Sequence, residues 1–249
     1  MFGEDLSFQG ALNYTRLFED VRLWESLLHT VIFTLIALPI EVVFGYLLAL
    51  LFLGKMPYKQ VFVAIILLPT IISPIVAGST WRLMFDQRFG PINQIISWFA
   101  GGEVKLLWTI ETALVWPAIL IAEVWQWTPF MFLLLYAALS NVDREQLEAA
   151  QIDGASWWMT FRRIVLPAIL PVMFIAMLIR ALDLFRLFDV VWTMTSGGPG
   201  SYTETISIYA YQMAFREFEI SYSSAIAFLV IFFLTVVVVW LLRRVEVAR

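Results

Sequence analysis

The sequence contains no cysteine and a single histidine, His29. The first absence excludes disulfide scaffolds, thiol redox chemistry and cysteine-ligated metals. The second leaves no histidine cluster for a metal centre or a proton relay. Charge is scarce as well: Asp, Glu, Lys and Arg make up 14% of the 249 residues and sum to −4, where a soluble domain carries about 25% charged residues. No basic excess remains for nucleic acid. No Walker A pattern occurs, so the chain has no ATP-hydrolysing loop of its own. No nucleophile, metal set or cofactor motif of an enzyme appears either. The first 26 residues are polar and acidic rather than basic and then apolar, which is not the pattern of a cleaved signal.

What takes the place of charge is apolar surface, 61% of the residues. A globule of this composition lacks the polar exterior that water demands, whereas a bilayer tolerates helices that are apolar all round. The chain reads as a polytopic membrane protein. Crossing about 30 Å of hydrocarbon takes roughly 20 residues, and five runs qualify: 27–53 with Pro39 and Glu41, 61–81 with Pro69 and Pro74, 112–139 with Pro117, Glu123 and Pro129, 167–192, and 220–242. Barrel strands are shorter and alternate apolar with polar residues, so the expected fold is an all-α membrane bundle of five spans. The paired prolines suit bent helices and equally suit the ordinary tolerance of membrane helices for proline.

Basic flanks orient the spans. Eight (Lys55, Lys59, Arg144, Arg162, Arg163, Arg243, Arg244 and Arg249) fall on one side against six (Arg16, Arg22, Arg82, Arg88, Lys105 and Arg216) on the other. That bias puts the 140–167 loop and the tail 244–249 in the cytoplasm. Residues 1–26 and the 193–219 loop then lie outside, and 27–243 form the membrane domain.

The 140–167 loop is the most informative stretch. Asp143 is a helix N-cap candidate, Gln146 stands at the third helical position and Gly154 is a stop signal. They bracket a helix too short to be stable alone, on which Leu147 and Ala150 share a face. Trp157, Trp158 and Phe161 with Arg162 and Arg163 follow as an interfacial anchor. Glu148-Ala149-Ala150, then Gly154, then Ile164-Val165-Leu166-Pro167 resembles the EAA loop of binding-protein-dependent ABC importer permeases. Thr195-Ser196-Gly197-Gly198-Pro199 with Thr203-Glu204-Thr205, and Phe89-Gly90-Pro91-Ile92-Asn93, are similar to the maltose-type, carbohydrate-importing group.

The resemblance implies the type I ABC importer permease fold. It also implies a coupling helix over Gln146 to Asp153, with Leu147, Glu148, Ala149, Ala150, Asp153 and Gly154 contacting a separate ATPase subunit. The partners it implies are a second, unlike permease chain, two ATP-binding subunits, an external solute-binding protein and a sugar. ATP and Mg belong to the ATPase subunits, and this chain holds no cofactor. Members of the group usually have at least six spans. The five here are expected to follow a first span upstream of Met1, or to belong to a member inserted with its N-terminus outside.

Charges inside spans are expensive and mark function by default. Arg180, Asp183, Arg186 and Asp189 recur every three residues, a spacing that pairs Arg180 with Asp183 and Arg186 with Asp189 in a structural ladder. Arg180 falls near mid-bilayer, where a purely structural role is less attractive. Glu123, Trp125, Gln126, Trp127 and Phe130 on the preceding span combine flat apolar surfaces with hydroxyl-binding groups. With Arg180 and Asp183 they form the expected substrate path, and the competing reading makes the tryptophans interface anchors. Glu41 is a weaker candidate, as a packing contact or gate. Two other functions fit the composition: the same assembly carrying glycerol phosphate or a polyol, and an ion-coupled secondary transporter using Asp183 and Glu123. The EAA-like loop and the lack of an internal repeat argue against the last.

Overall fold

The computed structural model describes residues 11–54 and 56–247. Part of the expected external segment (1–10), the end of the tail (248–249) and two of the counted basic flanks, Lys55 and Arg249, lie outside the described residues. Every regular element among those described is helical: α1 (Leu12–Glu19), α2 (Val21–Leu53), α3 (Lys59–Ile71), α4 (Pro74–Met84), α5 (Pro91–Ala100), α6 (Thr112–Ser140), α7 (Arg144–Ile152), α8 (Trp157–Thr160), a π-helix (Phe161–Val165), α9 (Leu166–Phe185), α10 (Asp189–Thr195), α11 (Ile206–Phe215) and α12 (Ile220–Val247).

Four helices are long and apolar enough to cross a membrane, and the α3–α4 pair, bent by 96° at the break between them, is a fifth candidate span. The expected span over 61–81, with its paired prolines, is therefore two helices with a break between them. The cause of the break is local. Pro69 supplies no N–H to the turn before it, and Pro74 drives Ser73 into extended backbone (φ −57°, ψ 137°) before opening α4 as its first residue. In α6, Pro117 and Pro129 are accommodated within one helix of 29 residues. The fourth span also ends earlier than expected, at Phe185, and residues 189–195 form the separate α10.

The centre of the bundle is the α2–α6 pair, which packs closely because small residues line the contact: Ala37, Ala49, Ala118 and Ala122 are buried there. A side chain at Gly45 would place its Cβ 2.6 Å from Met131 Cβ and 2.8 Å from the Phe132 nitrogen, so only glycine permits this approach. Phe33, Trp81, Phe85, Ile119 and Leu184 fill the central core. Phe52, Phe132, Leu135, Leu139 and Ile169 fill one end of the bundle. Leu17, Leu23, Ile206, Tyr209 and Tyr222 fill the other, tying α1 and the start of α2 to α11 and α12.

Candidate functional site

Three spans each contribute one charged side chain to a single buried cluster. Arg180 of α9 is 1% exposed, Glu41 of α2 0% and Glu123 of α6 2%. Arg180 donates from Nε and Nη2 to the two Glu41 oxygens at 2.8 Å each, and from Nη2 to Glu123 Oε1 at 2.9 Å. Its guanidinium lies over the Trp127 ring, 4.5 Å from the centroid, a cation–π contact worth about 2 kcal/mol or more when desolvated. Its Nη1 makes no hydrogen bond among the described residues and stands 3.9 Å from Asp183 Oδ2. Glu123 Oε2 is buried and likewise without a partner. Glu123, Trp127, Arg180 and Asp183 all line an open cavity of about 290 Å³, bounded on its other side by Pro74, Arg186 and the start of α10.

The expected path residues thus divide. Glu123, Trp127, Arg180 and Asp183 come together at the cavity; Phe130 touches it only through Trp127, edge-on at 6.4 Å between centroids. Trp125 turns to the opposite face of α6, against Trp81 and an apolar groove. Gln126 is buried away from the cavity, where its Nε2 donates to the Ile72 carbonyl at 2.9 Å. Thr70 Oγ1 returns a bond to the Gln126 carbonyl at 3.0 Å. Gln126 therefore satisfies a backbone acceptor exposed by the broken span, as a helix interruption inside a membrane requires.

The expected ion-pair ladder also changes partners. Arg186 bonds Asp183 at 2.9 Å rather than Asp189, because α9 ends before Asp189 and the two residues no longer share a helix. Sequence reasoning ranked Glu41 low, although it is Arg180's principal partner. The usable signal was charge balance, since an arginine at mid-bilayer requires carboxylates and only two other spans carry one.

At the other end of the bundle, α7 takes the expected form. Asp143 caps it, accepting from the Glu145 N–H at 2.9 Å. Asp153 ends it, and Gly154 reverses the chain at φ +70°. The helix begins at Arg144, directly after its cap and with Gln146 as its third residue, as the capping residues predict, two residues before the start implied for the coupling helix. Leu147 and Ala150 face inward, Ala150 buried and Leu147 packed against the core that holds Leu139 and Val142. This corrects their assignment to an outward docking face. The outward face carries Glu145, Glu148, Ala149 and Ile152, the last 86% exposed. The Trp157 and Phe161 rings stack beyond it, 5.7 Å apart at 6°.

A second polar cluster, outside the expected site, joins α1 and the start of α2 to α11, α12 and the residues that precede them. Arg22 donates to both Glu204 oxygens at 2.8 Å and to Gln212 at 2.6 Å, and Ser26 Oγ donates to Glu204 at 3.3 Å. Arg16 pairs with Glu219 at 2.5 Å. Asp20 caps α2 through the Leu23 N–H and accepts from the hydroxyls of Tyr209 and Tyr222. Burial opposes the ionisation of Asp20, but the two phenol donors, the Leu23 N–H and the nearby charge of Arg16 hold the carboxyl below its usual range.

A multi-pass helical bundle with a polar cavity between its spans and a short capped helix projecting from one end defines a membrane transport subunit. The chain belongs to the family described as binding-protein-dependent transport system inner membrane component, which matches residues 19–247. It is similar to a trehalose/maltose transport system permease protein of Thermococcus litoralis, 37% identical over 204 residues, 82% of this chain and 68% of that protein. A lactose transport system permease protein of Rhizobium radiobacter is 30% identical over 238 residues, 94% of this chain and 80% of that one. In fold it matches a chain in the crystal structure of a bacterial ABC transporter involved in the import of the acidic polysaccharide alginate. That match has a TM-score of 0.85 at 20% identity, covering 96% of this chain and 84% of that chain.

Proposed function

We propose that this chain is one of two unlike permease subunits of a sugar-importing ABC transporter in the bacterial cytoplasmic membrane. An external solute-binding protein delivers the sugar, and ATP with Mg is hydrolysed in two separate subunits. The 140–167 loop faces the cytoplasm, and α7 docks there in a cleft of an ATPase subunit. The sugar assignment is supported by relatives that transport trehalose, maltose and lactose, and by the cavity at Arg180, where hydroxyl-binding groups meet an aromatic face.

The observation that carries the reading is α7 itself. Its inward residues, Leu147 and Ala150, fasten it to the spans, while Glu148, Ala149 and Ile152 stand free at its surface. An apolar side chain exposed on a nine-residue helix is a docking anchor, and the rigid mounting transmits force to the bundle.

Gly154→Val tests this. No atom lies within 4 Å of an added Cβ, so the substitution is felt only through the positive φ; that conformation costs an ordinary residue about 1–2 kcal/mol and a branched one more. Retention of the ATPase subunit on purification should fall, with membrane levels of the chain unchanged. ATPase binding and sugar-stimulated hydrolysis equal to wild type would remove the docking role.

A further inference from the structure

Arg180 is the only cation in the buried cluster, and the structure spends it. Glu41 takes Nε and one edge of Nη2, and Glu123 takes the rest of Nη2. Around the cavity, Asp183 and Arg186 neutralise each other at 2.9 Å. With Arg180 paired to Glu41, Glu123 and Asp189 are left over against no further cation among the described lining residues. The two groups still free to bind are Glu123 Oε2, an acceptor with no partner, and Arg180 Nη1, a donor whose nearest acceptor is 3.9 Å away. Both residues line the cavity, and an acceptor beside a donor matches neighbouring hydroxyls, which can give one hydrogen bond and receive another. A carboxylate, sulfonate or phosphate could use only the donor, and would face the uncompensated carboxylates of Glu123 and Asp189.

We infer that the cavity admits uncharged sugars and rejects anionic ones, and that Glu41 is the positioning residue that sets this selectivity. Glu41 never reaches the cavity. It acts through Arg180, fixing the plane of the guanidinium over Trp127 and cancelling its charge. The inference rests on the proposed sugar path and adds to it the class of sugar. It separates this chain from any transporter of an acidic saccharide and disfavours glycerol phosphate as cargo.

The experiment uses matched pairs that differ only in a carboxylate at C6: glucose with glucuronate, and galactose with galacturonate. Phe188 lines the cavity, is partly exposed and is none of the gripping groups. Phe188→Cys therefore gives a unique thiol in this cysteine-free chain. Its modification by a small uncharged reagent is followed by mass spectrometry of the chain, in the assembled transporter held in nanodiscs. Each hexose should protect the thiol at concentrations at least about tenfold below its uronate, the scale of a like-charge contact. With Glu41→Gln, one Arg180 charge faces one carboxylate, and the discrimination should shrink about tenfold; Glu41→Asp, which keeps the charge, should retain it. Should Glu41→Gln prevent assembly, Glu123→Gln removes a charge while leaving the Glu41–Arg180 pair in place, and must shift the preference the same way. Uronates protecting as well as hexoses in the wild type, or undiminished discrimination in the glutamine variants, would overturn the selectivity assignment and leave the sugar path standing. Protection by none of the four would remove the sugar path at this cavity, and the inference with it.

Discussion

Arg180 and Arg22 each close a bidentate pair with a buried glutamate, and they differ in what surrounds the cation. Arg180 is buried in the middle of three spans and shared between two carboxylates. Arg22 stands at the end of α2, its side chain 44% exposed, while its partner Glu204 is 1% exposed. Water can replace much of what Arg22 provides. It cannot reach Glu41 at all. The same pair of functional groups is therefore a fixed internal charge in one place and a fastening in the other. Only the first leaves unspent hydrogen-bonding capacity next to a cavity.

The sharpest way to break this comparison is to remove the buried cation. Arg180→Met leaves Glu41 and Glu123 facing each other without compensation, and losing one partner of a buried pair costs about 3–5 kcal/mol. Thermal unfolding of the purified transporter should show a large loss of stability or failure to assemble. Adding Glu41→Gln and Glu123→Gln to Arg180→Met should restore most of the stability and none of the sugar protection. A single Arg180→Met variant as stable as wild type would mean that the carboxylates are not held by this arginine.

Arg22→Ala probes the outer pair and should do less. Glu204 keeps Ser26 Oγ as a donor, and solvent enters where the guanidinium was, so the expected loss is about 1–3 kcal/mol, the cost of an under-satisfied buried acceptor. Glu204→Gln in the same background should recover part of it. Equal losses for Arg22→Ala and Arg180→Met would erase the distinction between the clusters.

How far each cluster was legible in the sequence follows from the distance over which its residues pair. The spans, the cap at Asp143 and the stop at Gly154 depend on neighbours within a few positions, and periodicity and capping chemistry expose them. Arg180 pairs with Glu41 at a separation of 139 residues and Arg22 with Glu204 at 182, and no local pattern encodes either. The sequence did mark Glu123 and Arg180 as expensive, without showing that Glu41 completes the set. The inward turn of Leu147 and Ala150 was hidden for a related reason. A small apolar face on a short helix looks the same whether it meets its own bundle or a partner. Gln126 was misplaced because its acceptor, Ile72, is freed only by the 96° break, which paired prolines permit but do not require.

The smallest expected effect lies within the outer cluster, at Asp20, and it sharpens the comparison through pH. Burial favours the neutral carboxyl, but the hydrogen bonds from Tyr209, Tyr222 and the Leu23 N–H, with the nearby charge of Arg16, favour the ionised form and leave the carboxyl below its usual range. Its pKa in the folded chain is therefore below its unfolded value of about 3.9. A depressed carboxylate contributes stability that is fully present above the unfolded pKa and is lost as pH falls through the folded one. The junction of α1 and α2 with α11 and α12 should hold unchanged from pH 7 to about 5, and loosen below about 4. Hydrogen exchange of peptides covering 206–222 in the reconstituted chain would report it. Asp20→Asn should weaken the junction at neutral pH by about 0.5–1.5 kcal/mol, the net worth of an ordinary hydrogen bond, and should flatten the acid response there. Were the variant to loosen with the same acid profile as wild type, the proton would be entering elsewhere in the cluster, with Glu219 opposite Arg16 the next carboxylate to replace.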